Sequence, residues 1–473
     1  MSLLAQYLLG RRKPSFEVWF CLSLSLVILF YAFSPFRMER NFIFQIQTEA
    51  LVVITILSWI GCAGIFIRQI YTSSILKTIT VIDLLLFAVL VYLLLQLIFY
   101  PVDTDYLLTI ACLAVAYFLF RHIPVKLVSG LLILLPAWVV VQIIYGYNRF
   151  EYPWQTLSDN IGAFNNTGIF GGFVAMGFVS ALGLLLSFKK PVARITLGVL
   201  LIPLIVQLIY SHSRAAWIAA AVGTVVLLST AFRQLTKRKA ALFILALLIV
   251  GSLISIKLYH FKKDSADGRL LIWTVSWNMM KEKPLTGFGP CGFRKNYLLR
   301  QGDYFKNNPD SSWTDLADDT GYPFNEFLKT GIEQGAIRLL FMIGIFFLAF
   351  KNTASPLVLR AVLAALIGFS CFSYPFDVVA FQVLCVFCLA GIASTHKPTV
   401  IVGLTRNPLK FIAFAKLLKF IAICLVVALC GFISFVSCKY YVDVKKWNQI
   451  IRSYSPKDEK QPMKFQALYR PCI

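Results

Sequence analysis

At 473 residues, 59% of them hydrophobic and only 14% charged, with a mean hydropathy of +0.75, the chain is far more apolar than a soluble domain, where about a quarter of residues carry charge. Lysine and arginine number 45 against 22 acidic residues, a formal net charge of +23. On a chain this apolar that excess reads as membrane topology beside an anionic lipid surface, and argues against a nucleic-acid binder. Apolar stretches long enough to cross the hydrocarbon core recur along the whole length, and about thirteen are predicted. Their limits are 16–36, 50–67, 79–100, 105–120, 127–145, 168–188, 193–211, 215–232, 240–257, 336–350, 359–374, 377–394 and 418–438. The last pair before the final span, on either side of Tyr374-Pro375, reads either as two spans or as one re-entrant element.

Basic residues in the short loops set the orientation. One set of alternate loops holds Arg11-Arg12-Lys13, Arg68, Lys77, Arg121, Lys126, Lys189-Lys190, Arg194, Arg233, Lys237-Arg238-Lys239, Lys351, Arg360 and the run from Lys397 to Lys419. The other set holds only Arg37, Arg40, Arg149 and Arg214. This bias predicts a multi-pass inner-membrane protein with a cytoplasmic N-terminus. The first span lacks an A-x-A-like cleavage site and reads as retained. The predicted organisation is therefore N-terminal transmembrane helices over 1–257, a periplasmic segment over 258–335, C-terminal transmembrane helices over 336–438 and a short periplasmic tail over 439–473. The cysteines show no metal spacing; Cys385-x-x-Cys388 lies inside an apolar span, and Cys291 and Cys472 are candidates for pairing on the outer face.

Polar chemistry concentrates at three outer-face places. The first is Ser211-His212-Ser213-Arg214-Ala215-Ala216-Trp217, where Arg214 is either an interfacial anchor or, beside small residues that permit close packing, a functional cation. The second is 267–278, predicted as a short interfacial helix capped by Ser265 or Asp267, with Leu270, Trp273 and Trp277 near one face. Arg269 would then occupy the first turn, where free N–H groups and the helix dipole add to its charge and favour a diphosphate; the alternative is a surface ion pair with Asp264 or Asp267. The third is 318–329 followed by Glu333-Gln334-Gly335. Glu326, between apolar neighbours, reads either as a partly desolvated general base or as part of a solvated acidic face.

With these residues in view, the chain resembles the O-antigen ligase superfamily, which also holds Wzy-type O-antigen polymerases and protein O-oligosaccharyltransferases. The resemblance runs from about residue 160 to residue 376 and rests on Gly162-Ala163-Phe164-Asn165-Asn166, Ser213-Arg214-Ala215, Gly268-Arg269 with Trp273, Pro284-Leu285-Thr286-Gly287-Phe288-Gly289, Asn325-Glu326 with Glu333-Gln334-Gly335, and Tyr374-Pro375-Phe376. It implies an all-α polytopic glycosyltransferase, similar to the GT-C class, that moves a glycan from undecaprenyl diphosphate to an acceptor hydroxyl on lipid A-core or protein. It implies neither a metal nor a nucleotide sugar. By the same resemblance Arg214 and Arg269 neutralise the lipid diphosphate, and Asn165, Ser213, Trp273, Asn325 and Asp319 line the substrate site.

One departure stands out. The family commonly has His-Asn where this chain has Phe324-Asn325, and that His is the proposed base. Phenylalanine accepts no proton, so Glu326 becomes the first candidate for the base, with Asp319 and His212 behind it. The tail from Lys445 resembles the start of the helical-repeat domain that some relatives carry after the last span. Two further functions compete with ligation: a polymerase joining repeat units by the same chemistry, and a flippase or transporter. A transporter is expected to carry ionisable groups near the bilayer midplane, whereas the charges here collect at the outer face.

Overall fold

The computed structural model describes residues 16–33, 55–56, 59, 61, 63–64, 79–100, 104–148, 155–164, 166–232, 263–396, 431–443 and 446. Among them there is no strand, as expected for an all-α chain. The helices are α1 (Phe16–Phe33), α2 (Val81–Phe99), α3 (Thr104–Arg121), α4 (Val125–Leu131), α5 (Leu134–Tyr147), α6 (Thr167–Ser187), α7 (Pro191–Tyr210), α8 (Arg214–Phe232), α9 (Lys263–Glu282), α10 (Gly292–Asn307), α11 (Glu326–Lys351), α12 (Leu357–Ser370) and α13 (Val379–Ala393). Five stretches are long and apolar enough to cross a membrane: Val81–Phe99, Val125–Tyr147, Thr167–Ser187, Pro191–Tyr210 and Glu326–Lys351. Of the predicted spans, 240–257 lies outside the described residues, and 16–36, 50–67 and 418–438 do so in part.

The central layer is α6, wrapped by α5, α7, α8 and α12. Its glycines let these neighbours approach closely; a Cβ at Gly172 would sit 2.2 Å from the Phe369 ring of α12. Lipid-compatible side chains such as Val192, Ile195, Val199 and Ile202 face outward from α7. At one end of the bundle Asp83, in the first turn of α2, closes a capping box with Thr80 and accepts from Tyr117 at 2.6 Å and Arg121 at 3.2 Å on α3. A second, smaller core joins α9 (Leu271, Val275, Met279), α10 (Phe293, Tyr297) and Ile332 of α11.

Three elements depart from expectation. The predicted span 127–145 is present as Val125–Tyr147, but its helix is interrupted between α4 and α5, because Pro136 has no N–H to return to Leu132 and the chain tightens into turns there, with Leu135 N–H donating to Leu132 O at 3.2 Å. The predicted helix near 267 instead reaches back at least to Lys263, so Ser265 and Asp267 lie inside α9 and cap nothing. And α11 starts at Glu326, well before the predicted 336, with a kink at Gly335 (φ 72°, ψ −179°) dividing a polar first part from an apolar second part.

That kink receives a strap from the segment between α9 and α10. Phe288 N–H donates to Ile332 O (2.8 Å), Gly289 N–H to Glu333 O (2.8 Å) and Ala336 N–H to Pro284 O (2.8 Å). The far side of the strap is held by α2, where Gln96 donates to Thr286 O (3.0 Å) and the Tyr100 hydroxyl to Gly287 O (3.0 Å). Gly287 (φ 71°) and Gly335 are needed because a Cβ at either would meet the other segment's backbone at 2.5 Å and 2.0 Å. The Pro284–Gly289 and Glu333–Gly335 motifs are thus two halves of one interlock.

Candidate functional site

At the bundle end opposite Asp83, the start of α8, the middle of α9, the start of α11 and the turn between α12 and α13 converge. Ser213 accepts from Ala216 N–H at 3.3 Å, capping α8, and donates to Gly168 O at 3.4 Å, tying α8 to the start of α6. Ala215 and Ala216 are buried, as close packing requires. Arg214 is therefore the first residue of a helix, where the positive dipole end reinforces its charge. The helix-terminus argument made from sequence for Arg269 applies instead to Arg214, since Arg269 lies past the first turn of α9.

The two arginines are brought together. Arg214 donates to Ser265 on α9 at 3.4 Å, one turn before Arg269. Burial, and then the nearby Arg214 charge, push the Arg269 pKa below its ordinary value, with Tyr374 acting in the opposite direction. No carboxylate among the described residues forms an ion pair with Arg269. A guanidinium stays charged under such a shift, so this end of the fold holds two neighbouring cations, a poor arrangement for stability and a good one for a polyanion.

Aromatic rings form the floor. The Arg269 guanidinium lies 5.2 Å from the Phe324 ring centroid. Phe324 meets Tyr374 edge-on at 5.5 Å, and Tyr374 stacks on Tyr322 at 4.0 Å with 3° between planes. Burial raises the pKa of both tyrosines, helped at Tyr374 by Tyr322 and at both by Asp377. Trp273 donates from its indole nitrogen to Pro323 O at 2.9 Å, and its ring lies 6.1 Å from that of Phe372.

Next to this floor is a buried charged cluster. Glu326 is only 3% exposed, and its Oε1 accepts from Phe376 N–H at 2.7 Å. Lys329, one turn on, pairs with Asp377, and Glu333 completes the same face of α11. Glu326 is thus a buried group and not part of a solvated face.

The remaining sequence candidates are distributed as follows. Asn325 spends its side-chain oxygen on the N–H groups of Phe327 (2.9 Å) and Leu328 (3.1 Å), capping α11. Asp319 is exposed and in electrostatic reach of Tyr297. His212 is exposed in the turn before α8, in a left-handed conformation (φ 47°). Asn165 and Cys472 lie outside the described residues.

Sequence reasoning missed Lys329, Asp377 and Tyr374 as a group. The i, i+3, i+7 spacing of Glu326, Lys329 and Glu333 was the available signal, but it requires a helix that begins at 326. It also passed over Arg338, a charge within the predicted span 336–350. Its Nε and Nη1 are buried without a hydrogen-bond partner, in electrostatic reach of Tyr92, Tyr106 and Cys385.

Fold and site together define an all-α, multi-pass membrane protein with a paired-arginine site at one end of the bundle. Residues 198–343 match the family model described as O-Antigen ligase, a stretch that contains Arg214, Arg269, Glu326 and both halves of the interlock. The expected place in the O-antigen ligase superfamily is borne out by that domain, and with it a membrane enzyme of the O-antigen ligase and polymerase kind. No curated protein matches the chain.

Proposed function

We propose that the protein transfers a glycan from undecaprenyl diphosphate to an acceptor hydroxyl at the periplasmic face of the bacterial inner membrane, with lipid A-core as the acceptor. The observation that carries this reading is the meeting of Arg214, at a helix N-terminus, with Arg269, which has no carboxylate partner among the described residues. In the reaction the acceptor oxygen attacks the anomeric carbon and the bond from that carbon to the diphosphate oxygen breaks. The negative charge that develops on the leaving lipid diphosphate falls to the two guanidiniums. Glu326 takes the acceptor's proton: Phe376 N–H fixes one carboxylate oxygen, which leaves the other to act as base. The basic-residue bias of the loops supports the periplasmic assignment, because it puts Arg214 on the side poor in lysine and arginine. Exposed Leu270 and Trp277 on α9 suit the headgroup level.

The test is the lipopolysaccharide ladder of a deletion strain, run beside the complemented strain and an Arg269→Ala strain. Loss of every O-antigen-bearing band, including core with a single repeat, in both the deletion and the Arg269→Ala strains is the expected result. Persistence of the single-repeat band with loss of the ladder would assign the same chemistry to polymerisation. An unchanged ladder would refute both and direct attention to a protein acceptor or to transport.

A further inference from the structure

Phe324 occupies the position at which the resemblance expects an imidazole base, and the structure gives it a different neighbourhood from that of a base. Its backbone is left-handed (φ 51°), a conformation that costs a bulky residue energy and persists only where the surroundings fix it. Here they do so from both sides. The Pro323 carbonyl is held by the Trp273 indole at 2.9 Å, and Asn325 is committed to capping α11. The ring so fixed carries the Arg269 guanidinium 5.2 Å from its centroid, and is itself backed edge-on by Tyr374, which stacks on Tyr322. Three rings from two chain segments thus support one cation that has no carboxylate partner among the described residues and that faces the like charge of Arg214. A carboxylate in that place would hold Arg269 more tightly but would neutralise it. An aromatic face holds a guanidinium while leaving its charge and its N–H donors available to an anion.

We infer that Phe324 is a positioning residue for the donor site: its ring holds Arg269 beside Arg214 in the geometry that receives the lipid diphosphate, and it takes no part in proton transfer. This rests on the glycan-transfer reading above and goes beyond it, because it gives the position a donor-binding role in place of the acceptor-activating one that the resemblance implies.

The test uses the full chain in lipid bilayers with a lipid-linked diphosphate glycan as donor, measuring KM for the donor and kcat separately. Mono-, di- and trifluorinated phenylalanines at position 324 keep the ring's shape while progressively weakening its negative face. The expected result is a stepwise rise in donor KM with each fluorine, with any loss of kcat following the same order. Phe324→Leu, which removes the ring, raises KM by about threefold to thirtyfold, and Phe324→Trp keeps it near the wild-type value. A donor KM insensitive to fluorination, or a Phe324→Trp protein as impaired as Phe324→Leu, would overturn the inference. Arg269→Ala separates the two levels. If it leaves donor KM unchanged, the diphosphate site itself is wrong; if it raises KM while the fluorinated series does not, only the role of Phe324 is wrong.

Discussion

Replacing Gly335 by alanine is the sharpest test of the interlock between α11 and the Pro284–Gly289 strap. At φ 72° and ψ −179° the residue is in a region open essentially to glycine alone, so an L side chain carries about 1–3 kcal/mol of backbone strain. The new Cβ would also lie 2.0 Å from Leu285 O and 2.3 Å from Leu285 C, backbone atoms that cannot rotate aside. The strap must then separate from α11, with loss of the three bonds from Phe288, Gly289 and Ala336, each worth about 1 kcal/mol net. Strain and bonds together come to about 4–6 kcal/mol, or about three to four orders of magnitude in the opening equilibrium of that region. Amide hydrogen exchange in bilayers reads this directly: Gly335→Ala should lose protection by that factor at Phe288, Gly289 and Ala336 while the amides of α6 keep theirs. Gly268→Ala makes the same chemical change inside α9, where nothing lies within 4 Å of the added methyl, and should leave exchange unchanged or slow it slightly. Unaltered protection in Gly335→Ala, or equal losses in both variants, would refute this account of the motif.

Three further outcomes follow from the site. Glu326→Gln keeps an oxygen for Phe376 N–H but removes the basic group, so transfer should fall by about 10²–10⁴-fold with the protein folded and abundant; transfer at the wild-type rate would show that the base is elsewhere. The phenols of Tyr322 and Tyr374 have folded-state pKa values raised above the ordinary 10.0, so the folded protein binds more protons than the unfolded chain above that pH. Thermal stability should therefore decline as pH rises past 10, and the double replacement Tyr322→Phe, Tyr374→Phe should flatten that decline; an identical slope would contradict the shifts. Arg338→Met removes a guanidinium with two buried, unpartnered nitrogens while keeping an unbranched chain of similar length, and should raise the thermal midpoint; a lower midpoint would mean that the charge is satisfied in the membrane.

What was legible in the sequence is what hydropathy controls. The predicted limits 79–100, 168–188, 193–211 and 215–232 fall within about two residues of α2, α6, α7 and α8, because a bilayer-crossing helix must be apolar along its length whatever its neighbours are. Arg214 stood out because arginine is scarce in the short loops of its set, whereas its partnership with Arg269 was legible only through the family resemblance. The start of α11 was not legible: Glu326 to Gln334 is a helix stabilised by its Asn325 cap, the Lys329–Asp377 pair and the strap, none of which leaves an apolar signature. The start of α9 was misjudged for a similar reason, since Ser265 and Asp267 look like caps but lie inside a helix that begins earlier. The break at Pro136 was visible as a residue, but a proline within a long apolar run also occurs in unbroken membrane helices; α7 carries Pro203 in its interior.

The arrangement of the site also bears on how the protein is made. Its parts come from segments far apart in the chain: Arg214 from α8, Arg269 from α9, Phe324 and Glu326 from the start of α11, and Tyr374 and Phe376 from the turn after α12. A nascent chain that has been inserted only as far as α11 already holds both arginines, yet it lacks Tyr374 to back Phe324, Phe376 to fix Glu326 and Asp377 to pair with Lys329. Until α12 and the turn after it are in place, Glu326, Lys329 and Phe324 lack the groups that hold them. Completion of the site is therefore a late event in biogenesis, coupled to insertion of the C-terminal helices.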